Sequence, residues 1–368
     1  MSKSTVYFTD MHVTARENQQ QKLERLIKKA GIEEIDFQRK YAAIKIHFGE
    51  LGNLAFLRPN YSKTVADVIR NLGGRPFLTD CNTLYVGGRK NALDHLETAY
   101  INGYSPFSTG CHILIADGLK GTDEALVPVQ GGSYVKEAKI GRAVMDADII
   151  ISLSHFKGHE LTGFGGAIKN IGMGCGSRAG KMEMHSSGKP HVISSKCIAC
   201  GACVRNCAHD AITITNGAAL INHTKCVGCG RCIGVCPTDA VQPASDESND
   251  ILNRKMAEYT WAVLHGKPHF HINLVIDVSP YCDCHSENDI PIVPNVGMFA
   301  SFDPVALDVA CADAVNRQPV TAGSLLEKHG SRHNDHFTDT SPETDWRSAI
   351  DHAVSMGIGN KEYELVTI

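Results

Sequence analysis

Eight cysteines in the middle of the chain fall into two copies of one spacing. The first copy runs from Cys197 to Cys207, the second runs from Cys226 to Cys236, and both follow C-x2-C-x2-C-x3-C. Thiolates at this spacing are the ligands of cubane iron–sulfur clusters. The pattern therefore predicts two 4Fe-4S clusters, and with them a protein that transfers single electrons.

Each predicted cluster takes three thiolates from one run and the last thiolate of the other run. Zinc sites and disulfide frameworks are the alternatives. Zinc sites use cysteine pairs with a longer spacer, and disulfide frameworks belong to small secreted chains, so both fit the spacing less well. The first cysteine set is Cys197, Cys200, Cys203 and Cys236, and the second cysteine set is Cys226, Cys229, Cys232 and Cys207.

Composition indicates an ordinary globular protein. The 368 residues are 43% hydrophobic and 21% charged, and the net charge is −4. No basic stripe with interleaved aromatic residues occurs, which argues against nucleic-acid binding, and no run of about 18 apolar residues predicts a membrane span. The amino terminus lacks a signal-peptide pattern, so we expect a cytoplasmic protein from an anaerobic organism, whose cysteines are metal ligands and thiols. Its expected partner is a redox protein.

Short apolar runs alternate with helical periodicity through the first 155 residues. This alternation predicts an α/β domain with a mostly parallel sheet that is covered on both faces. The predicted strands are Val6–Phe8, Ala42–His47, Pro76–Thr79, Ile113–Ala116 and Ile149–Leu153, and the predicted helices are Glu17–Ala30, Ser62–Leu72 and Arg89–Ile101.

The same pattern returns after the cysteines. It predicts helices at Ile251–His265, Asp303–Val315 and Trp346–Met356 and a strand at Ile272–Val278. We therefore expect an α/β domain interrupted by a small α+β, ferredoxin-like two-cluster domain. The predicted boundaries are 1–187 for the first part of the α/β domain, 188–245 for the inserted domain and 246–368 for the second part.

Polar side chains follow the predicted strands. Open α/β sheets bind ligands beyond the carboxyl ends of their strands, so these residues predict a shared site. They are His47, Glu50, Asp80, Asn82, Asp117, His155, Lys157 and His159. Histidine exchanges protons near neutral pH, so His155 and His159, beside Lys169, are the candidate catalytic residues.

A glycine-rich segment separates the first α/β part from the cysteines. Eight glycines lie within residues 158–180. Successive backbone amides form nests that bind anions, which indicates a bound anionic cofactor or a small anionic substrate. The candidate binding residues are Gly165, Gly166, Lys169, Arg178 and Lys181. The segment matches neither the Walker A pattern nor the dinucleotide-binding fingerprint, so it predicts neither ATP nor NAD.

A second group of soft ligands follows the predicted strand Ile272–Val278. Cys282, Cys284 and His285 offer two thiolates and an imidazole, which suit zinc, nickel or iron. We expect an additional metal at Cys282 and Cys284. Two ordinary thiols near a turn are the alternative.

Five stretches make the chain resemble a family of iron–sulfur proteins called domain of unknown function 362. The resemblance spans nearly the full length and implies the interrupted α/β architecture, but the family label carries no reaction. The stretches are Lys45–Glu50, Thr79–Tyr85, Gly166–Gly174, Cys282–Cys284 and Ser301–Asp308.

A more distant resemblance concerns residues 155–185 alone. The order and spacing of His159, Lys169 and His185 are similar to the segment of nickel-dependent lactate racemases that holds a nickel-pincer nucleotide. The resemblance implies that Lys169 is a covalent attachment site, His185 a metal ligand and His159 an acid/base.

Three functions follow from these patterns. The first is an oxidoreductase in which the clusters deliver electrons to a substrate or second metal site in the α/β domain, and the predictions favour it. The second is a ferredoxin-type electron carrier without catalysis of its own. The third is a racemase-like isomerase that uses nickel or a lysine-bound cofactor.

Overall fold

The computed structural model describes residues 3–84, 87–186, 188–244 and 247–368. Two predictions reach positions outside these ranges. The family stretch Thr79–Tyr85 ends at one such residue, and the predicted domain boundaries at 187/188 and 245/246 each include at least one.

Strands and helices alternate along the described residues. The strands are β1 (Ser4–Asp10), β2 (Tyr41–Lys45), β3 (Arg75–Asp80), β4 (Ile113–Ile115), β5 (Glu124–Pro128), β6 (Glu137–Gly141), β7 (Ile149–His155), β8 (Lys157–His159), β9 (Gly163–Gly165), β10 (Pro190–Val192), β11 (Ile212–Thr215), β12 (Ala218–Ile221), β13 (Val241–Pro243), β14 (His269–Val275), β15 (Gly297–Ser301) and β16 (Tyr363–Thr367). The α-helices are α1 (Gln19–Lys29), α2 (Pro59–Asn71), α3 (Ala92–Ile101), α4 (Pro106–Thr109), α5 (Arg142–Asp146), α6 (Ala167–Cys175), α7 (Arg178–His185), α8 (Ala202–Arg205), α9 (Arg231–Gly234), α10 (Asn249–Leu264), α11 (Pro304–Asn316), α12 (Leu325–His329), α13 (His336–Thr340) and α14 (Arg347–Ser355). Short 3-10 helices occupy Ile32–Glu34 and Ser194–Lys196.

The main sheet has eight strands in the order β16-β1-β15-β14-β7-β2-β3-β4. Strand β15 is antiparallel to both of its neighbours, and every other neighbouring pair is parallel. The predicted α/β class with a mostly parallel sheet is therefore confirmed.

Alternate residues of the central strands enter separate apolar cores on the two faces of the sheet. In β7, Ile149 and Ile151 pack on the face that also buries Leu23 of α1, whereas Ile150 packs on the opposite face with Ile171 of α6. Successive side chains of a strand point to opposite faces, so a strand that is apolar throughout must be covered on both.

Each of the six predicted strands has a counterpart, with one clear shift, whereas β15 and β16 of the main sheet were not predicted. Strand β14 begins at His269, three residues before the predicted start at Ile272, and ends at Val275. The early residues include His271, whose buried ring hydrogen-bonds the hydroxyl of Ser152 on β7 at 2.9 Å. A histidine with a hydrogen-bond partner can be buried in a strand. Because its side chain is polar, however, a prediction based on apolar runs starts the strand too late.

The cysteine-rich segment has two small antiparallel pairings, β10 with β13 and β11 with β12. The short helices α8 and α9 begin directly after Gly201 and Gly230, which have left-handed φ values of 71° and 66°. The two cysteine runs thus share one local structure, as expected of a repeat. The division into three parts at the predicted boundaries stays a prediction.

Candidate functional site

A cavity that opens to solvent lies beyond the carboxyl ends of β2, β3 and β7. It gathers most of the predicted site residues into one place. The predicted residues that line it are His47, Asp80, His155, Lys157, His159, Gly165, Gly166, Lys169, Lys181, His185, Cys282 and Cys284.

Three predicted polar residues lie outside the lining because they bind other protein groups. The carboxylate of Asp117 accepts hydrogen bonds from the backbone and side-chain amides of Asn82, at 2.9 and 2.8 Å. Glu50 forms an ion pair with Arg89 at 2.9 Å, and Arg89 lines the cavity instead. These three residues therefore support the wall of the site.

Arg178 also lies outside the cavity lining. Its buried guanidinium donates to the backbone carbonyls of Lys120, at 2.6 Å, and of Lys90. On its other side it packs against Gly230 and Gly234, within the second cysteine run. The structure thus brings Arg178 to the cysteines and not to the predicted anion site.

A buried clamp fixes the turn that carries the two soft ligands. The carboxylate of Asp283 is fully buried, and it accepts from His155 Nδ1 at 2.9 Å and from Lys157 Nζ at 3.2 Å. Burial acts to raise the pKa of Asp283, but the nearby His155 and Lys157 outweigh it and hold this pKa well below its usual range. The other nitrogen of His155 faces the carbonyl of Ile276 at 2.8 Å, so the ring is held at both ends. His155, a predicted catalytic residue, is positioned here as a support for Asp283.

The sulfur of Cys282 faces several hydrogen-bond donors. Lys169 Nζ lies 3.6 Å from it and the backbone N–H of Cys284 lies 3.4 Å from it. The hydrogen bond from the Cys284 thiol is the largest effect on the pKa of Cys282 and lowers it; burial opposes, while Lys169 and His159 add to the lowering. The pKa of Cys282 therefore falls well below its usual range, whereas the pKa of Cys284 rises. This pairing of a thiolate with a thiol is typical of reactive cysteines.

Two overlapping groups of potential metal ligands occur among the described residues. One comprises His159, Cys282 and Cys284, and the other comprises Glu160, Cys284 and His285, with the ligand atoms of each group within 4.8 Å of one another. The predicted soft ligands Cys282, Cys284 and His285 are thus divided between the two groups, whereas His185, the metal ligand that the racemase resemblance implies, lines the same cavity but is in neither group.

The tautomer of His159 follows from its neighbours. Its Nδ1 atom accepts from the backbone N–H groups of Leu161 and Thr162, at 3.1 and 3.2 Å. The ring proton therefore belongs on Nε2, so this nitrogen is a donor, as the hydrogen bond from His159 that lowers the pKa of Cys282 requires. In this arrangement His159 supplies a proton to the sulfur and has no free lone pair for a metal.

Positive charge dominates the cavity. Among the described residues, neither Lys169 nor Lys181 forms an ion pair with a carboxylate; Lys181 Nζ donates to the carbonyl of Gly176 at 2.6 Å. Burial, followed by Lys169 and His159, lowers the pKa of His185 to about 3, so this imidazole is neutral at physiological pH. A cavity with two such lysines suits an anionic ligand.

Helix α6 positions Lys169 with the help of a cap supplied by helix α11. The buried carboxylate of Asp308 on α11 accepts from the backbone N–H groups of Ala167 and Ile168, at 2.7 and 3.0 Å, and burial raises its pKa to about 6. A side chain at Gly166 would collide with this carboxylate. Gly166 therefore allows the start of α6 to approach Asp308 closely, which fixes the direction of Lys169 one turn later.

Helix α7 lies between the cavity and the cysteines. Lys181 and His185, one turn apart, line the cavity, whereas Arg178 packs against the second cysteine run and buried Met182 packs in an apolar cluster with Cys203 and Cys232. One helix therefore contacts both the cavity and the cysteine region. Leu84 belongs to both regions, since it lines the cavity and joins the same apolar cluster.

The eight cysteines surround two further cavities. The first cysteine set lines one of about 300 Å³, and the second cysteine set lines one of about 350 Å³. Backbone N–H groups point at several of the sulfur atoms, as Ala219 does to Cys197 at 3.3 Å and Ala240 does to Cys236 at 3.2 Å. The grouping of the thiols is the one that the spacing predicts.

Sequence reasoning missed several residues of the main cavity. Lys45 lines it and forms a buried ion pair with Asp80 at 3.0 Å, and it also donates to the side chain of Asn170 at 2.9 Å. Arg89 and Glu160 line it too. Lys45 and Asn170 lie in stretches that carry the family resemblance, so that resemblance held the signal for them, whereas nothing in the local sequence marks Arg89.

Comparisons with known proteins found distant relatives. The thylakoid-associated protein sll1697 of Synechocystis sp. is 25% identical over 130 residues, which is 34% of this chain, and the chain spans 34% of that protein's length. The lactate racemase apoprotein of Thermoanaerobacterium thermosaccharolyticum has a TM-score of 0.41 and 12% identity, over 74% of this chain and 51% of that one. A protein of Thermotoga maritima has a TM-score of 0.43 and 14% identity, over 80% of this chain and 57% of that one. Likenesses this distant say nothing of a shared reaction.

Among the described residues, no helix combines the length and the apolar character that crossing a membrane needs.

The family comparison is stronger than any single relative. The profile of the family described as "Domain of unknown function (DUF362)" matches residues 42–313, which is well over half of the 368 residues. The match includes the cavity-lining residues Lys45, Lys169 and Cys282 as well as both cysteine sets. The chain therefore belongs to the DUF362 family.

Proposed function

We propose that this protein is an iron–sulfur oxidoreductase of the cytoplasm that reduces a small anionic substrate in the main cavity. The two cysteine sets hold two 4Fe-4S clusters, which supply single electrons when bound. The observation that carries the proposal is helix α7, because Lys181 and His185 line the cavity while Arg178 and Met182 contact the cysteine region.

The arrangement of the thiols fits cubane clusters better than zinc. A tetrahedral zinc ion with bonds of about 2.3 Å holds its sulfur atoms about 3.8 Å apart. Among the described residues, no three of these eight sulfur atoms lie within 4.8 Å of one another. The wider spacing and the cavity inside each set leave room for a cluster, and the N–H groups directed at the sulfur atoms suit thiolate ligands.

The main cavity supports a substrate of its own. Lys169 and Lys181 line it and attract an anion. A pure electron carrier of the ferredoxin type has no need of a cationic pocket at the ends of the sheet strands. Electrons enter from a redox partner protein, and the exposed Cys200 marks the side of the first cysteine set that such a partner reaches.

Metal analysis of protein purified without oxygen tests the proposal. We expect about eight iron atoms and about eight acid-labile sulfides per chain, with an EPR signal after reduction. The variant Cys229→Ser should lose about half of the iron, because it removes one ligand of one cluster. The control Cys111→Ala changes a buried thiol outside both sets and should keep all of it. Colourless protein, or stoichiometric zinc, would contradict the proposal.

A racemase-like isomerase is the second candidate. Its support is the convergence of His159, Lys169 and His185 on one cavity, as the resemblance to nickel-dependent racemases implies. Protein from the native host should then contain nickel and carry a mass increment on Lys169. Absence of both from active protein would exclude this candidate.

A further inference from the structure

The turn that carries Cys282 and Cys284 brings their two sulfur atoms together at the cavity wall. The backbone N–H of His285 donates to the carbonyl of Cys282 at 3.1 Å and closes the turn. The two sulfur atoms lie within 4.8 Å of each other. A disulfide needs Cα atoms about 4.4–6.8 Å apart, and residues two apart span at most about 7 Å, so a bond between these two sulfur atoms is within reach of the turn.

We propose that Cys282 and Cys284 are a redox-active pair that reduces a small anionic disulfide and cycles between dithiol and intramolecular disulfide. This inference rests on the proposed function only for the source of its electrons. It names the substrate class for the same cavity.

The surroundings of Cys282 favour nucleophilic attack over metal binding. Lys169 Nζ, at 3.6 Å, and the backbone N–H of Cys284, at 3.4 Å, both direct protons at this sulfur. His159 accepts two backbone hydrogen bonds through Nδ1, so its protonated Nε2 is a donor and not a ligand. Donors around a sulfur stabilise the anion that attacks a disulfide.

The backbone between the two cysteines is held still. The fully buried carboxylate of Asp283 binds His155 and Lys157. The backbone carbonyl of Asp283 accepts a hydrogen bond from the backbone N–H of Glu50 at 2.9 Å. The side-chain amide of Asn53 and the guanidinium of Arg89 bind the carbonyls of His285 and Cys284, at 3.1 and 3.3 Å. The two sulfur atoms can therefore exchange partners while the turn keeps its shape.

The reaction balances in three steps. The Cys282 thiolate attacks one sulfur of the substrate disulfide and forms a mixed disulfide with it; the substrate S–S bond breaks, and the first thiolate leaves and takes a proton from the Lys169 ammonium. Cys284 then gives up its proton and attacks the sulfur of Cys282, which forms the intramolecular disulfide and releases the second thiol. Two electrons from a one-electron donor protein, passed through the cysteine region, and two protons restore the dithiol.

Charge selects the substrate. Lys169 and Lys181 face the cavity without a carboxylate partner among the described residues, so a disulfide that carries carboxylates is attracted and one that carries ammonium groups is repelled. Dithiodiglycolate and cystamine are a matched pair of probes, because they are similar in size and opposite in charge.

The test treats reduced, oxygen-free protein with each probe, quenches with acid, alkylates the unfolded chain and measures the peptide that contains both cysteines. We expect dithiodiglycolate to convert the pair to a disulfide at least about tenfold faster than cystamine, because the site has two cations without a carboxylate partner among the described residues. Cys284→Ser should trap a mixed disulfide on Cys282, Cys282→Ser should not react, and Cys111→Ala should behave as the parent. A pair that stays alkylatable, equal rates for both probes, or a metal that resists removal from Cys282 would overturn the inference.

Re-reduction of the oxidised pair separates this inference from the proposed function. Exchange with the probes needs no cluster, but reduction of the disulfide by reduced methyl viologen should slow at least about tenfold in Cys229→Ser if electrons pass through the second cysteine set. If Cys229→Ser exchanges normally with the probes and its disulfide is re-reduced at the parent rate, the route of electrons through the second cysteine set is wrong, but the redox role of Cys282 and Cys284 stands. If the protein holds both clusters but does not exchange with the probes, the redox role of the cysteine pair is wrong and the proposed function stands.

Discussion

At the scale of single residues, the chemistry of the site depends on groups that do not touch the cavity contents. Asp283 is the main example, because its carboxylate holds His155 and Lys157 and thereby the turn with both cysteines. The sequence analysis selected His155 for catalysis on the general suitability of histidine. Its two nitrogens are occupied by Asp283 and by the carbonyl of Ile276, which only the folded chain reveals.

Replacing Asp283 tests the clamp. Asp283→Asn keeps the size of the side chain but removes the charge that His155 and Lys157 bind, and this leaves two buried donors without an anion. We expect the free energy of unfolding to fall by about 3–5 kcal/mol, as for other broken buried ion pairs. Denaturant titration measures it. The control Glu287→Gln alters an exposed carboxylate in the next turn and should change the free energy of unfolding by less than about 0.5 kcal/mol. If both variants lose the same free energy of unfolding, the contacts of Asp283 do not stabilise the fold more than an exposed carboxylate does.

The ion pair of Glu160 and His285, at 2.8 Å, gives a pH-dependent prediction. Burial tends to raise the pKa of Glu160, but His159 and His285 lower it to about 2, whereas Glu160 raises the pKa of His285. The pair therefore stabilises the fold fully between pH 4.5 and 6.5, the ordinary values of the two groups; it weakens as pH falls towards 2 or rises through the raised pKa of His285.

Substitution of Glu160 by glutamine reveals this window. Because both side chains are about one-third exposed, the loss in unfolding free energy should stay below about 1 kcal/mol. Urea titrations of the parent and of Glu160→Gln should differ most at mildly acidic pH and converge at alkaline pH. Glu97→Gln, an exposed change on α3, serves as the control. If the difference in unfolding free energy between the parent and Glu160→Gln grows at alkaline pH, the ion pair does not depend on a protonated His285.

At the scale of elements, the sequence predicts the strands well and the glycine-rich helices poorly. Strands β2, β3 and β7 follow from continuous apolar runs, since both of their faces are buried. Helices α6 and α7 are absent from the predictions because glycine disfavours helices. The structure shows why glycine is tolerated there: a side chain at Gly172 would meet the backbone of Met256 on α10, so close packing between helices requires its absence.

Gly180 on α7 tests this explanation. Helix propensity alone predicts that Gly180→Ala stabilises the protein by about 1 kcal/mol. A methyl group there would meet the carbonyl of Lys139 and the ring of Tyr259, so we expect destabilisation by about 1–3 kcal/mol instead. Thermal unfolding monitored by circular dichroism measures the sign. Glu97→Ala, on an exposed helical surface, should be nearly neutral, and a rise in melting temperature for Gly180→Ala would refute the packing argument.

At the scale of the whole molecule, the sheet places the ends of strands β2, β3, β7 and β14 around one cavity, and α7 joins that cavity to the cysteine region. The rule about strand ends predicted the first relation from sequence. The second was not predictable, because Arg178 was read together with Lys169 and Lys181 as one anion site, and only the folded chain shows that Arg178 contacts the second cysteine run instead.

Arg178 should tune the cluster that we assign to the second cysteine set. Burial lowers the pKa of this guanidinium, while Asp117, Cys232 and Cys229 oppose that effect, which places its charge close to the thiolates. A nearby cation stabilises the added electron, so Arg178→Met should lower the reduction potential of one cluster and leave the other unchanged.

Arg178→Lys keeps the charge and should retain the potential. Arg205→Met removes an exposed cation that donates to the carbonyl of Cys200 at 3.1 Å, and solvent screening should make its effect small. EPR-monitored redox titration of variants with matched iron content measures each value, and equal potentials in the parent and in Arg178→Met would mean that this arginine is not coupled to electron transfer.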